Sequence, residues 1–190
     1  MAKSKTLVLF YPGCIEYEIM LAAELLSKTS SIDVATPDGS NHEGSNGMTF
    51  RASHRFANAM IENYRCILIP GGDVESVINN EALGDLLADG AKSGTVLAAI
   101  GSGPLFLAKA GVLKGKRFTH GIAEHFRPFL APFCVGAEFC DEPLVIDGDI
   151  FTAKPEAHID FAIAVAERLG AIPNPARAEV LRKHYKGLPA

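Results

Sequence analysis

Three short apolar segments, each followed by a glycine-containing turn, constrain the fold of this chain more than any other feature. The segments are residues 6–11, 65–70 and 94–100. Nearly continuous apolar runs of this length are typical of strands that are covered on both faces of a sheet. The turns that follow them contain Gly13, Gly71 with Gly72, and Gly101 with Gly103. A helical pattern comes after each turn, so the sequence predicts alternating strands and helices.

This alternation predicts an α/β fold with a doubly wound, mostly parallel sheet sandwiched by helices. Further strands are expected at residues 31–36, 116–120, 135–140, 143–146 and 150–153, with an edge strand or hairpin arm at 47–52. Helices are expected at residues 16–28, 74–92, 105–110, 155–169 and 176–184. The length of 190 residues suits a single domain over residues 1–190, with its core at about 5–170 and a C-terminal extension at about 171–190.

Composition excludes several classes of partner. The net charge is −4 and no long basic run occurs, which argues against nucleic acid. Every apolar run is far shorter than the roughly 18 residues of a membrane span, so no membrane association is expected. None of the four cysteines forms a CxxC pair, which argues against a zinc or thioredoxin-like motif. Together these features favour a reducing cytoplasm.

The turn after the third apolar segment has the form of a nucleophile elbow. A sharp turn from strand to helix usually holds an exposed nucleophile at its apex. Here the apex is Gly101, which has no side chain. Because ligands of a doubly wound sheet bind beyond the carboxyl ends of its strands, the three glycine turns are expected to line one crevice.

Motifs in the same order resemble the ThiJ/PfpI superfamily, which includes the parkinsonism-linked protein deglycase and glyoxalase III-type enzymes. The resemblance covers about residues 5–170. It is carried by Gly13 with Glu18, Ile69-Pro70-Gly71-Gly72, Ala98-Ala99-Ile100 with Gly103-Pro104, residues 110–115, Thr119-His120, Asp147-Gly148 and Thr152-Ala153. It implies a flavodoxin-like or class I glutamine-amidotransferase-like fold and, by analogy, a homodimer.

The resemblance also implies site residues. Members of the superfamily carry a cysteine at the position of Gly101 and a glutamate, at Glu18, that shares a hydrogen bond with its thiol. Backbone N–H groups at Gly72 and Ser102 form their oxyanion pocket. Many members place a histidine directly after the cysteine or at the position of His120. This chain is therefore identified as a variant that lacks the elbow cysteine.

Two interpretations of Gly101 stay open. Glycine relieves the backbone strain of such a turn. Alternatively, a missing thiol leaves room for a ligand oxygen or small anion directly over the helix N-terminus, beside the amides of Ser102 and Gly103. Gly71 and Gly72 complete the set of expected ligand-binding or oxyanion-binding residues.

Glu18 is either a carboxylate favoured by the dipole at a helix start or a buried group with a raised pKa that donates a hydrogen bond to a ligand. Glu16 is expected to be exposed.

The remaining candidates each have a structural alternative. Cys14 is either a small apolar filler or a thiol with a depressed pKa. Ser102 is more typical of a helix cap than of a substitute nucleophile. His120 could act as an acid or base or serve structure alone. No metal is expected, because His120 and His125 are five residues apart, and no dinucleotide cofactor is expected, because Phe106 replaces the third glycine of the fingerprint.

Three functions follow from these residues. The first is non-covalent binding of a small carbonyl or carboxylate, or a stress-related role without cysteine catalysis. The second is an enzyme of the family's kinds (glyoxalase, deglycase, amidase-like hydrolase or hydratase) that uses Cys14 or a water activated by Glu18 and His120. The third is a homodimeric interaction protein with a vestigial pocket. The sequence leaves open whether the chain is an enzyme.

Overall fold

The structure is a computed structural model that describes residues 4–189, apart from the side chains of Ser4 and Arg127. Its strands are β1 (Ser4–Leu9), β2 (Ser30–Thr36), β3 (His42–Glu43), β4 (Thr49–Phe50), β5 (His54–Arg55), β6 (Tyr64–Ile69), β7 (Val96–Ile100), β8 (Arg117–Phe118), β9 (Glu138–Phe139), β10 (Leu144–Asp147) and β11 (Ile150–Ala153). Its α-helices are α1 (Tyr17–Ser27), α2 (Glu81–Lys92), α3 (Pro104–Lys109), α4 (Arg127–Leu130), α5 (His158–Arg168) and α6 (Pro175–Tyr185).

A central sheet of seven strands has the order β10-β11-β7-β6-β1-β2-β5. Every neighbouring pair is parallel except β10 and β11, which form the hairpin predicted around Gly148. The predicted fold class, a single α/β domain with a mostly parallel sheet, is therefore confirmed. The β3–β4 and β8–β9 pairs lie outside this sheet. Strand β4 corresponds to the hairpin arm expected at 47–52.

Alternating side chains of the central strands divide the core into two layers. Leu7 and Leu9 of β1 pack in the layer that contains α2 and α3, whereas Val8 packs with α1 and α5. This alternation follows from the two-residue period of a strand. Helix α6 packs against α5 through Ala178, which is buried.

Besides the short strands β3 and β5, which were not predicted, two stretches differ from the sequence-based expectation. The helix expected at 74–92 is wrong in its first part, because Val74–Ser76 forms only a 3-10 turn and α2 begins at Glu81. The side chain of Asn80 accepts a hydrogen bond from the N–H of Leu83, and this N-cap fixes the later start. The other stretch is residues 121–134, for which no element was predicted and which contains α4.

Within residues 4–189, none of the helices combines the length and the apolar character that crossing a bilayer requires.

Candidate functional site

The three glycine turns meet beyond the carboxyl ends of β1, β6 and β7. Cys14 and Gly72 form an isolated antiparallel bridge, and the N–H of Ile15 donates to the carbonyl of Gly71 at 2.9 Å. The N–H of Gly72 in turn donates to Oγ of Ser102 at 2.9 Å. The parallel sheet thus brings together turns that are far apart in sequence, as expected for ligand sites of this architecture.

Gly101 adopts a backbone conformation that favours glycine, with φ at +65°. A Cβ built on Gly101 would lie 2.9 Å from Oε2 and 3.0 Å from Cδ of Glu18, and closer still to Oε1. The carboxyl group of Glu18 therefore fills the space that a side chain at position 101 would need. The expectation of vacant room for a ligand atom directly over Gly101 is wrong, because Glu18 occupies it.

Glu18 is a buried carboxyl group with only one hydrogen bond among the described residues. Its side chain extends from the first turn of α1, and the residue is 1% exposed. Oε2 accepts from the N–H of Gly71 at 2.7 Å, whereas Oε1 is buried without a hydrogen-bond partner in that part of the chain. Burial raises the pKa of Glu18 to about 7, although the hydrogen bond from Gly71 lowers it in part. Both protonation states are therefore accessible near neutral pH.

Three of the four amides assigned to an oxyanion pocket already donate within the protein. The N–H of Gly71 donates to Glu18 and that of Gly72 donates to Ser102, while the N–H of Gly103 donates to the carbonyl of Ile100 at 2.9 Å. A ligand oxygen can use these donors only by displacing a protein acceptor.

Ser102 does not cap the helix that follows it, so the cap interpretation is wrong. Its hydroxyl accepts from the N–H of Gly72 and donates to the carbonyl of the same residue at 3.1 Å. The N-cap residue of α3 is Gly103, with no side-chain cap. The two hydrogen bonds with Gly72 hold the Ser102 side chain across the crevice, and Ser102 stays half-buried there.

Cys14 is fully buried. Burial raises the pKa of its thiol to about 12, and the nearby carboxyl groups of Glu16 and Glu18 add to this effect. The interpretation of Cys14 as a reactive thiol with a depressed pKa is therefore wrong. Its interpretation as a small apolar filler agrees with its burial.

Glu16 is 1% exposed, so the expectation of an exposed side chain is wrong. The β3–β4 hairpin folds over the start of α1, where the N–H of Ser45 donates to the carbonyl of Cys14 at 2.8 Å. Oγ of Ser45 donates to Oε2 of Glu16 at 3.2 Å, and a Cβ on Gly44 would collide with the Glu16 carboxyl. Sequence alone does not reveal this cover, because the contact joins residues 29 positions apart.

His120 is held beside the elbow by a hydrogen bond of the next residue, Gly121. The N–H of Gly121 donates to the carbonyl of Gly101 at 2.7 Å. Nδ1 of His120 accepts from the N–H of Ile122 at 3.1 Å, and its ring centroid lies 4.7 Å from that of Phe139. Since Nδ1 is an acceptor, the proton of the neutral ring is assigned to Nε2.

A cleft of about 530 Å³ opens next to the elbow. Ser102 and Gly72 line its polar end, whereas Glu18 and Gly101 are not among the lining residues. Phe126, Phe129, Leu130 and Phe133 supply much of its apolar lining and are called the wall of the cleft. Sequence reasoning missed this wall, although the i, i+3, i+7 spacing of its phenylalanines is a helical signal that could have indicated it.

Among the described residues, no three His, Cys, Asp or Glu side chains lie close enough together to hold a metal ion.

Comparison with known proteins identifies the family of the chain. The family model described as "DJ-1/PfpI family" matches residues 4–168. The chain belongs to the DJ-1/PfpI family. It is 30% identical over 195 residues to protein dj-1beta of Drosophila melanogaster, an alignment that covers 99% of this chain and 97% of the relative. The resemblance inferred from the motifs is thereby confirmed.

Solved structures of the family show the same fold. The crystal structure of Drosophila melanogaster DJ-1beta matches with a TM-score of 0.78 at 26% identity, covering 98% of this chain and 100% of that one. DJ-1 superfamily protein Atu0886 from Agrobacterium tumefaciens matches with a TM-score of 0.83 at 22% identity, covering 97% and 98%. A two-domain Anabaena variabilis protein with DJ-1/ThiJ/PfpI-like and ferritin-like domains matches at 0.80 and 21% identity. That match covers 93% of this chain, which spans 57% of the two-domain protein.

Proposed function

We propose that this protein binds a small molecule bearing a carbonyl or carboxylate oxygen without forming a covalent bond at the elbow. The observation that carries the proposal is the position of the Glu18 carboxyl group, within 3.0 Å of where a Cβ of residue 101 would lie. The apex of the turn thus combines a residue without a side chain and a carboxyl group that fills the space beside it. A strand-to-helix turn built in this way supports recognition of a ligand rather than attack on it.

The polar end of the cleft supplies the recognition. Ser102 and Gly72 are half-buried and line the cleft, so a ligand oxygen can reach the Ser102 hydroxyl. If that oxygen replaces Oγ of Ser102 as acceptor for the Gly72 N–H, the hydroxyl is free to turn toward the ligand. Glu18 holds Gly71 through Oε2 and so positions the neighbouring amide of Gly72.

Calorimetric titration with acetate, pyruvate and methylglyoxal tests this proposal. We expect saturable binding at millimolar concentration and no added mass on the intact protein. Ser102→Ala should weaken binding several-fold, whereas Ser93→Ala, which removes an exposed hydroxyl that bonds Asp89, should leave it unchanged. The absence of binding, or a covalent adduct on any residue of the cleft, would contradict the proposal.

A second candidate is an enzyme of the family's kinds that activates water. It is favoured by one observation, the Glu18 pKa of about 7, because a general acid or base works best with a pKa near the operating pH. His120, beside the elbow, would assist in this scheme. Cys14 fits the role of nucleophile poorly, since a thiol with a pKa of about 12 is protonated at neutral pH.

Consumption of methylglyoxal separates the two candidates. A water-activating enzyme should lose its turnover in Glu18→Gln and keep it in Cys14→Ala. A non-covalent binding protein should show no turnover above background in any of these variants, nor in the wild type. Turnover that disappears in Cys14→Ala would overturn both accounts.

We also propose a homodimer located in the cytoplasm. The support is the family membership for the dimer and the cysteine pattern for the reducing compartment. Sedimentation of the purified chain at high concentration tests the first point, and a monomer there would count against it.

A further inference from the structure

We infer that the cleft prefers a neutral carbonyl compound with an aromatic or bulky apolar body over a small or anionic oxygen compound. This inference rests on the proposed function for the position of the oxygen at Ser102. It adds the chemical class of the rest of the ligand, which follows from the size, the lining and the charges of the cleft.

The size of the cleft favours a ligand larger than a few carbon atoms. The cleft encloses about 530 Å³, within the range of roughly 300 to 1,000 Å³ that is typical of sites for drug-sized ligands. A carbonyl compound of two or three carbons would fill only a small part of this volume. Most of the contact area in the cleft would then stay without an apolar partner.

The lining of the cleft favours an apolar ligand body. Away from Ser102 most of the side chains that line the cleft are apolar and come from several segments, including Val74, Ile78, Leu105 and Ile122. The three phenylalanines of the wall are more exposed than is usual for apolar residues. Phe129 is 74% exposed, Phe126 51% and Phe133 39%. An aromatic body placed against these rings would remove apolar surface from water and could pack edge to face or in an offset stack.

The charges around the cleft favour a neutral ligand. Among the described side chains that line the cleft, Asp73 and Glu75 carry carboxyl groups and Lys109 carries an ammonium group. The Lys109 ammonium already donates to Oδ1 of Asn79 and lies 5.5 Å from the centroid of the Phe133 ring. An anionic ligand would therefore meet two carboxylates and a cation that has protein partners. A neutral oxygen compound avoids this repulsion.

Three simple probes separate the contributions of size, lining and charge. Acetophenone has a neutral carbonyl group and a ring, acetone has the carbonyl group without the ring, and benzoate has the ring with a negative charge. We expect calorimetric titration of the wild type at pH 7 to give an acetophenone affinity about tenfold above those of acetone and benzoate, because burial of about half or more of one ring corresponds to a factor of this size.

A pair of matched variants tests the wall. Phe129→Ser should lower the acetophenone affinity about fivefold, since the ring would lose one apolar face. Val135→Ser is the control, because Val135 is 75% exposed in the same part of the chain and does not line the cleft. Phe126→Ser provides a second test of the wall if Phe129→Ser folds poorly by circular dichroism.

The outcomes distinguish this inference from the proposed function. Equal binding of acetone, benzoate and acetophenone, or equal effects of Phe129→Ser and Val135→Ser, would overturn the preference for an apolar body and leave non-covalent binding in place. If none of the three probes binds, and acetate, pyruvate and methylglyoxal also fail, both the inference and the proposed function are wrong.

Discussion

Two regions next to the cleft are built on opposite principles: the buried elbow, which does not line the cleft and is called the floor, and the phenylalanine wall, which does line it. At the floor, Gly101, Glu18 and Gly71 are buried, and the amide of Gly71 is already bonded to Glu18. In the wall, Phe126 and Phe129 present more than half of their surface to solvent. The floor is therefore part of the fold, whereas the wall is available to a ligand. Changes at the floor should alter stability, and changes in the wall should alter binding with little effect on stability.

The largest effect is expected for Gly101→Ala. A Cβ at this position meets a positive φ and also the Glu18 carboxyl group, the end of a side chain that would have to shift, so we expect a loss of about 3 kcal/mol in the free energy of unfolding. Gly148 is a matched control, because it has the same φ of +65° and space for a side chain. A Cβ built there would meet only Nζ of Lys116, at 3.8 Å. Gly148→Ala should cost about 1 kcal/mol. Urea unfolding of both variants gives the comparison.

A double-mutant cycle identifies the cause of that loss. If the carboxyl group of Glu18 is the obstacle, Gly101→Ala introduced into Glu18→Ala should cost only about as much as Gly148→Ala. An undiminished cost in the Glu18→Ala background would assign the loss to the backbone and would show that the Glu18 carboxyl group is no obstacle to a side chain at position 101.

The next effect concerns the charge of Glu18. Its pKa is about 7 in the folded protein and about 4.5 in the unfolded chain, so the folded state binds the proton more tightly. The contribution of this group to stability is complete below pH 4.5, is lost as the pH rises to 7, and stays lost above it. Glu18→Gln keeps an acceptor for Gly71 without the charge, and should gain about 3 kcal/mol over the wild type at pH 8.

This gain should shrink as the pH falls toward 5. Glu24→Gln, on the exposed side of the same helix, serves as the control and should show no such pH dependence. Chemical unfolding of the three proteins at pH 5 and pH 8 measures the difference. A gain that is the same at both pH values would mean that burial does not perturb the Glu18 carboxyl group.

A smaller effect is expected for Ser102→Ala. The variant removes the acceptor of the Gly72 N–H, which is half-buried and can recruit water, so the loss should be about 1 kcal/mol. Ser93→Ala, which loses a bond from an exposed hydroxyl, should change the unfolding free energy by less than about 0.5 kcal/mol. Equal losses in the two variants would show that the hydrogen bond of Ser102 stabilises the protein no more than that of an exposed hydroxyl.

The smallest effect on stability is expected in the wall. Because the side chain of Phe129 is largely exposed, Phe129→Ser should change the free energy of unfolding by less than about 0.5 kcal/mol. Thermal denaturation together with urea unfolding checks this value. A loss of several kcal/mol would mean that the wall is part of the core, and the contrast between floor and wall would fail.

The fold was largely predictable because its signals are local. The apolar runs that became β1, β6 and β7 are continuous, and each ends at a glycine turn, so strand type and strand end can both be inferred from neighbouring residues. The late start of α2 was missed, because the pattern from residue 74 onward is helical whereas Asn80 stops the helix from extending backward. The wall at 126–133 was missed, because no helix or strand was predicted there and the sequence does not show what its exposed apolar residues would line.

By itself, the sequence determined the family, the α/β architecture and the absence of a side chain at the apex of the elbow. Only the tertiary structure decided what occupies the space beside that apex, because Glu18, Gly71 and Gly101 are brought together by three different strand-to-helix turns. It also decided that Glu16 and Cys14 are buried, since the β3–β4 hairpin that covers them approaches from a distant part of the chain. Burial and proximity depend on packing between distant segments, and these properties in turn set the pKa of Glu18 and Cys14.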